Sequence, residues 1–310
     1  MKTRLTQILS QTSGRVGCIL LAFVGVVAVG GPFMAPYSPT EPITAPGMGP
    51  GPSVLGTGYL LLGSDYLGRD VLSRVLSGGL SVIAIGLTAT LIAYLVGVTL
   101  GLLAGYVEKY VGAAVMRCVD VILAFPPLLV LLLLVGGLQS HIWVLILGVV
   151  IVQIPNIVRI TRASTAAVAR SAYVEVAKAR GERTPTIWKR DILPNILPTV
   201  LADFGIRFGL SIILVASMNF LGLGLAPPAS DWGLMTSENQ SLVTLNPLAI
   251  VAPGIMLALL SIGVNLVADA YVKAVAGRGT TRRMKKTKND RLGITQPVID
   301  PTDSEGVTLR

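Results

Sequence analysis

The chain has 310 residues, of which 52% are hydrophobic and 13% are charged, and its mean hydropathy is +0.72. Soluble globular domains carry about 25% charged residues, so this composition excludes an ordinary soluble domain and indicates an integral membrane protein. The net charge of +9 does not indicate a nucleic-acid partner, because the cations are concentrated at the amino terminus, between residues 159 and 198, and after Tyr271.

Six apolar stretches are each about as long as the roughly 20 residues that a bilayer core requires. The sequence therefore predicts an all-α integral membrane protein with about six transmembrane helices. The first stretch also has the outline of a secretory signal, but it is longer than a typical signal core and lacks a small-x-small cleavage site, so we interpret it as an uncleaved anchor. The predicted spans are 16–36, 80–106, 113–137, 142–162, 199–222 and 248–272.

The distribution of cations predicts the orientation of these spans in the membrane. Eight Lys and Arg residues lie between 159 and 198, and nine lie from Lys273 onward. The loops predicted on the other side contain only Arg69 and Arg74. Because cytoplasmic loops carry an excess of Lys and Arg, both termini and the 159–198 loop are predicted to be cytoplasmic in a multi-pass plasma-membrane protein.

These features divide the chain into four parts. Residues 1–36 contain the amino-terminal segment and the first span, and residues 37–79 form an external connector rich in Pro and Gly. The membrane core covers residues 80–273 and includes the 159–198 loop. Residues 274–310 form a basic tail, which we expect to be disordered from Arg278, with its basic cluster near anionic lipid headgroups.

The 159–198 loop has a helix–turn–helix pattern. Residues 171–180 are rich in helix-forming residues, and Gly181 is placed to end that helix in a left-handed cap. Pro185 is suited to the start of a second short helix, which is expected to run to Leu193 and stop before Pro194. A shape of this kind projecting from a membrane domain suits docking into a groove on a soluble partner. We call residues 171–194 the coupling segment.

The coupling segment resembles the "EAA" loop of ABC-importer permeases. The similarity lies in the run from Glu175 to Gly181 and in Ile192-Leu193-Pro194-Asn195 at the family spacing. Two positions depart from the motif: Val176 stands where Ala is usual, and Asp191 stands where an apolar residue is often found. A polar residue at the position of Asp191 is common in the peptide-permease branch. The resemblance implies that the loop forms coupling helices that seat in ATPase subunits. The residues it assigns to coupling are Glu175, Ala177, Gly181, Ile192, Leu193 and Pro194.

The connector contains a second motif, from Leu62 to Val75. Its apolar residues recur at helical spacing, which predicts an interfacial amphipathic helix in which Asp70 pairs with Arg74. The stretch also resembles the "LGTDxLGRDxLSR" element that precedes the second helix of dipeptide, oligopeptide and nickel permeases.

A third stretch, between Phe220 and Met235, resembles the "FLGLG…PP…WG.M" run of the same permeases, and Ala252-Pro253-Gly254 follows in the last span. Together the motifs extend over residues 62–269 and are similar to the C-type subunit of the permease pair. The resemblance implies a type I ABC-importer (MetI-like) fold with cytoplasmic coupling helices. It also implies a homologous second permease, two ATPase subunits that bind the ATP, and an extracytoplasmic solute-binding protein.

On this resemblance the expected function is ATP-driven import of di- or oligopeptides, with nickel or a metal chelate as the alternative solute. An ion-coupled secondary transporter is a further alternative, because ionisable residues within the spans could couple ions, but it does not account for the helix–glycine–helix loop.

No catalytic role is expected for the chain itself. It contains no Gly-Lys pair, so it has no P-loop for ATP phosphates, and no Gly-x-Ser-x-Gly nucleophile motif. Its single histidine, His141, is expected at a membrane interface, and Cys18 and Cys118 are expected to be reduced, packed thiols. We therefore expect no metal site or cofactor in this chain.

Two sets of charged residues within the predicted spans are candidates for a functional role: Arg117 and Asp120 in the third span, and Asp203 and Arg207 in the fifth. Charges at such depth are costly and usually face the interior of the helix bundle or a water-filled path. Each set is expected either to form an ion pair that fixes helix packing or to contribute to the translocation pathway. A kink is also expected at Phe125-Pro126-Pro127.

Overall fold

The computed structural model describes residues 9–53, 58–107, 109–138 and 141–291, with side chains up to Ala274. Within these ranges five helices are long and apolar enough to cross a membrane, or six if one bent pair is counted as a single span. The described strands, β1 (Gly51–Pro52) and β2 (Tyr59–Leu60), form one short antiparallel pair. The all-α membrane class is therefore confirmed.

The helices run in chain order as α1 (Thr12–Met34), α2 (Val71–Ser77), α3 (Gly79–Tyr106), α4 (Lys109–Leu123), α5 (Pro127–Gly137), α6 (Ile142–Ala169), α7 (Ala172–Ala179), α8 (Thr184–Ile187), α9 (Leu193–Phe220), α10 (Trp232–Glu238) and α11 (Leu248–Arg291). The first long helix begins four residues before the predicted span, and α6 continues seven residues beyond it. These extensions follow from helical propensity, because a helix does not have to end where the bilayer ends.

The most extensive contact between two described helices is that of α3 with α6. A row of glycines at every fourth position of α3, Gly97, Gly101 and Gly105, faces α6. A methyl group at Gly97 would lie 2.8 Å from Cγ2 of Ile157, and one at Gly101 would lie 2.5 Å from Cβ of Thr161. Glycine thus allows the two backbones to approach closely, as small residues do in membrane helix pairs. The remaining long helices complete the bundle, with α11 packed against α1 and α9.

The third predicted span, 113–137, is broken rather than merely kinked. Helices α4 and α5 meet at 83° across a short break that ends at Pro126 and Pro127. Proline lacks a backbone N–H and restricts the residue before it, so two consecutive prolines end α4 and place Pro127 at the start of α5. A bend is therefore present where the kink was expected, but α4 and α5 are two separate helices rather than one kinked span.

The last helix extends beyond the predicted span. Its apolar part is Leu248–Ala274, and its backbone continues as a helix to Arg291. The sequence predicted an irregular chain from Arg278, because the composition there is polar and basic. The end of the predicted tail, 292–310, lies outside the described residues.

Candidate functional site

The first half of the coupling segment has the predicted conformation. Helix α7 ends at Ala179, and Gly181 follows with φ +74°, in the left-handed region. The N–H of Gly181 donates to the carbonyl of Lys178 at 2.9 Å, and the N–H of Glu182 donates to that of Ala177 at 3.2 Å. This pair of hydrogen bonds is a Schellman cap. The predicted helix and its glycine cap are confirmed.

The second half differs from the prediction. Helix α8 does not stop before Pro194 but passes through a π-helical turn, Trp188–Ile192, directly into α9. Pro194 has no N–H to donate, and the wider turn accommodates it near the start of α9. Nδ2 of Asn195 donates to the carbonyl of Asp191 at 2.6 Å and satisfies an acceptor at this junction. The coupling segment is therefore continuous with a membrane span.

The inner face of the coupling segment packs on the bundle. Val174, Ala177, Ile187 and Ile192 are buried in the main hydrophobic core. Tyr106, the last residue of α3, contacts two residues of the coupling segment. Its ring centroid lies 6.0 Å from that of Trp188 in an edge arrangement, and Nζ of Lys178 lies 4.6 Å from it. The segment therefore rests on the end of α3 as well as leading into α9.

The opposite face of α7 is open. Tyr173 and Val176 are 48% and 55% exposed, and Glu175 is also exposed. Exposed apolar side chains on the surface of such a short helix are typical of a docking surface. We call the exposed residues of α7 the docking face.

The residues predicted for coupling thus separate by environment. Glu175, Gly181 and Pro194 are exposed, Leu193 is half-buried, and Ala177 and Ile192 are buried. The exposed members can contact a partner directly, whereas the buried ones hold the segment on the bundle.

The two predicted sets of membrane charges have different partners. The expected contact between Arg117 and Asp120 is not formed. Asp120 instead pairs with Arg159 of α6 at 2.7 Å, with both side chains about half exposed, while Arg117 is exposed and takes part in no ion pair among the described residues. Arg117, three residues before Asp120 on α4, competes here with an arginine of a neighbouring helix, and the contact between helices is the one that forms.

The expected Asp203–Arg207 pair is confirmed. Nε of Arg207 lies 3.3 Å from Oδ1 of Asp203, and the hydroxyl of Tyr94 on α3 donates to Oδ2 of Asp203 at 2.7 Å. One turn further along α9, Ser211 accepts hydrogen bonds from Gln153 of α6 and Thr90 of α3. A buried polar network therefore joins α3, α6 and α9 in the interior of the bundle.

The connector motif has a different structure from the amphipathic surface helix predicted for it. Arg69 and Arg74 are almost completely buried, and both bind Asp65 and Glu238. The two shortest of these contacts join Nε of Arg69 and Nη1 of Arg74 to Oδ2 of Asp65, each at 2.6 Å. Asp70 does not pair with Arg74. We call Asp65, Arg69, Arg74 and Glu238 the connector cluster.

Asp70 instead caps α2, because its side chain accepts a hydrogen bond from the N–H of Ser73 at 2.8 Å.

Sequence spacing could not reveal the connector cluster, because Glu238 follows Arg74 by more than 160 residues. A sequence signal was nevertheless present, since an arginine predicted on the external side opposes the topology rule and so calls for a specific reason.

The two motifs of the predicted external loops meet each other. Nε1 of the fully buried Trp232 donates to the carbonyl of Val75 at 2.8 Å. Asp231 caps α10 and accepts hydrogen bonds from Ser81 and Asn219. Burial raises the pKa of Asp231 above its ordinary value, and those hydrogen bonds oppose the rise. This end of α3 is thus anchored to the connector and α10, and its other end contacts the coupling segment.

Several apolar spans, a projecting docking face and a charged pair inside the bundle define a multi-span membrane transport protein. The chain belongs to the family described as "binding-protein-dependent transport system inner membrane component", whose sequence pattern matches residues 97–278. It is therefore one component of a multi-part transport system of the inner membrane.

The proteins similar to this chain include two permeases. The chain is 36% identical to the glutathione transport system permease protein GsiD of Pectobacterium atrosepticum, over 69% of this chain and 71% of the relative. It is 32% identical to the di/tripeptide transport system permease protein DppC of Pseudomonas aeruginosa, over 84% and 86%. The fold is similar to that of a chain of the MetNI methionine ABC transporter, with a TM-score of 0.54, 16% identity, and coverage of 66% of this chain and 96% of that one. The MetI-like fold is confirmed by this likeness.

Proposed function

We propose that this chain is a permease subunit of an ATP-driven importer of small peptides. The observation that carries the proposal is the coupling segment, whose capped helix has a packed inner face and an open docking face. The peptide solute is supported by the relatives, because one is named for glutathione and another for di- and tripeptides.

In the proposed assembly this chain pairs with a homologous second permease to form the pathway. Two ATPase subunits bind the ATP and dock on the coupling segments, so the chain itself has no ATPase site. An extracytoplasmic solute-binding protein delivers the peptide to the side where the connector lies. Both termini and the coupling segment face the cytoplasm, in agreement with the excess of cations in residues 159–198 and in the tail.

The geometry supports a mechanism in which the coupling segment transmits motion of the ATPases to the spans. A displacement of α7 and α8 acts on α9 through the continuous π turn and on α3 through the contacts of Tyr106 with Trp188 and Lys178. Packed helices move as bodies rather than bending smoothly, so this displacement would tilt α3 and α9 and switch the access of the pathway.

The test is uptake by the assembled system in proteoliposomes, with labelled di- and tripeptides compared with chelated nickel. ATP-dependent accumulation of peptide is the expected result. Accumulation of nickel alone would show that the solute is nickel rather than peptide, and the proposed role as a permease would stand. Solute uptake driven by an ion gradient without ATPase subunits would favour the secondary-transporter alternative, which the family membership does not favour.

A further inference from the structure

We propose that Arg207 binds the carboxylate of the transported peptide in a cavity between α6, α9 and the break that separates α4 from α5. The proposal rests on the proposed peptide-import function and adds a solute site to it. The cavity has a volume of about 340 Å³ and is lined by Pro126, Pro127, Gln153, Asn156, Arg207 and Leu210, among others. This volume is at the lower end of the roughly 300–1,000 Å³ of small-molecule sites.

Arg207 has hydrogen-bonding capacity to spare. Its Nε atom is held by Asp203, at 3.3 and 3.4 Å from the two carboxylate oxygens, and its side chain is 15% exposed. Its two terminal nitrogens meet no acceptor in the part of the chain that the structure describes. A guanidinium presents these nitrogens as a rigid fork that matches a carboxylate. Arg207 is therefore equipped for a second carboxylate in addition to that of Asp203.

Asp203 has a positioning role in this arrangement. Its side chain is 9% exposed and accepts a hydrogen bond from the hydroxyl of Tyr94 at 2.7 Å. This bond to α3 fixes the carboxylate of Asp203, which lies on α9. By bonding Nε it orients the guanidinium of Arg207, which lines the cavity, and leaves the terminal nitrogens available. The carboxylate of Asp203 also offsets part of the cost of a charged arginine inside the membrane when no solute is bound.

The rest of the cavity wall is suited to a small peptide. Most of its lining is apolar, including Leu128, Val152 and Leu214, whereas Asn156 adds an amide group and the amide nitrogen of Gln153 is already bonded to Ser211. A peptide offers complementary groups, namely a carboxylate for the guanidinium, backbone amides and apolar side chains. A larger cavity of about 450 Å³ lies near α9, α10 and α11, but no charged residue lines it. Of these two cavities, the Arg207 cavity is the one with charge complementarity to a peptide.

The experiment compares a dipeptide with its own amide. The assembled system in proteoliposomes is supplied with leucyl-leucine or leucyl-leucine amide, each at a concentration that saturates the solute-binding protein. Wild type is expected to transport the acid faster than the amide. Because a hydrogen bond to a charged group contributes about tenfold or more in binding, Arg207→Gln should slow uptake of the acid about tenfold and leave uptake of the amide within about twofold.

Asp203→Asn is the matched control, because it breaks the same ion pair and keeps the arginine. It should retain the preference for the acid, even if total uptake falls. If Arg207→Gln and Asp203→Asn slow both peptides equally, the pair only fixes helix packing and the proposal is wrong. If wild type hydrolyses ATP but transports neither peptide, the proposed peptide function is wrong, and the proposed solute site is wrong as well.

A second measurement does not depend on an arginine variant assembling. In a chain whose native cysteines are replaced, Asn156→Cys places a thiol in the cavity wall for reaction with a small alkylating reagent. Leucyl-leucine should slow that reaction about tenfold more than its amide, for the same reason of charge-assisted binding. Equal protection by both compounds, or protection by neither, would overturn the site.

Discussion

Glu175 is an acidic residue on a docking face surrounded by cations. Its spacing in the sequence also allows a weak ion pair with Lys178, three residues further along the same helix. Lys178 instead lies over the ring of Tyr106, and Glu175 belongs to no ion pair in the described ranges. Its carboxylate is therefore free for a cation or a helix amino terminus of the ATPase.

We expect Glu175→Lys to weaken co-purification of the ATPase subunits by about tenfold or more, because a like charge would replace a complementary one at the interface. Solute-stimulated ATP hydrolysis should be lost in the same variant. Glu175→Gln is the matched control, since it removes the charge without reversing it and should have a smaller effect. Normal ATPase binding and stimulated hydrolysis by Glu175→Lys would exclude this residue from docking, although not the rest of the segment.

Gly181 allows a second prediction, because its role is conformational. Its φ is +74° and no atom lies within 4 Å of the position that a Cβ would occupy. A side chain there would meet no clash, so any penalty must come from the backbone. Gly181→Val should cost about 1–2 kcal/mol, because a β-branched residue is poorly accommodated at positive φ.

Peptide uptake should therefore fall in Gly181→Val while membrane insertion is retained. Gly181→Asn serves as the control, because asparagine tolerates the left-handed region and should transport nearly as wild type. Loss of uptake in both variants to the same extent would show that the space around Gly181, not its backbone, is what the assembly needs.

At the scale of secondary-structure elements, the connector cluster joins α2 and its preceding loop to α10. Both arginines and Asp65 are at most 1% exposed. Removing one partner of a buried ion pair leaves the others uncompensated, which typically costs about 3–5 kcal/mol. Arg74→Ala should therefore strongly destabilise the protein, and the apparent melting temperature of the purified complex should fall accordingly.

A suitable control is Arg180→Ala, which removes an arginine from a surface pair. Arg180 is 59% exposed and lies 2.9 Å from Glu182. Exposed pairs contribute about 1 kcal/mol or less, so its melting temperature should stay close to that of wild type. Equal shifts for the two variants would mean that the connector cluster does not hold these elements together.

At the scale of the whole molecule, the prediction concerns orientation. The coupling segment contacts one end of α3 at Tyr106, and α10 contacts the other end near Gly79. Because α3 has 28 residues at about 1.5 Å per residue, these regions lie about 42 Å apart, more than the thickness of a hydrocarbon core. They must therefore lie on opposite sides of the membrane.

Single cysteines at the exposed positions Thr186 and Ser241 test this, in a chain whose Cys18 and Cys118 have been replaced. A membrane-impermeant thiol reagent should label Thr186→Cys only from the cytoplasmic side and Ser241→Cys only from the outside. Labelling of both positions from the same side would overturn the orientation inferred from the cations.

Much of this architecture could be predicted from the amino-acid sequence because its causes are local. Apolar stretches of bilayer length indicated the spans, the distribution of Lys and Arg indicated their orientation, and Gly181 and Pro126-Pro127 indicated a cap and a break. Each of these signals depends on the backbone preferences or hydropathy of a few neighbouring residues. The Asp203–Arg207 ion pair could be predicted for the same reason, because its two residues lie one helical turn apart on the same helix.

The partners of the other charges could not be predicted in this way, because they depend on contacts distant in sequence. Asp120 pairs with Arg159 on another helix, and Arg74 binds Glu238, the last residue of α10. In a low-dielectric interior a charge is stabilised by whichever opposite charge the packing brings within reach, and that need not be the neighbour in sequence. The cavity beside Arg207 arises in the same way, since it exists only where the break between α4 and α5 meets α6 and α9.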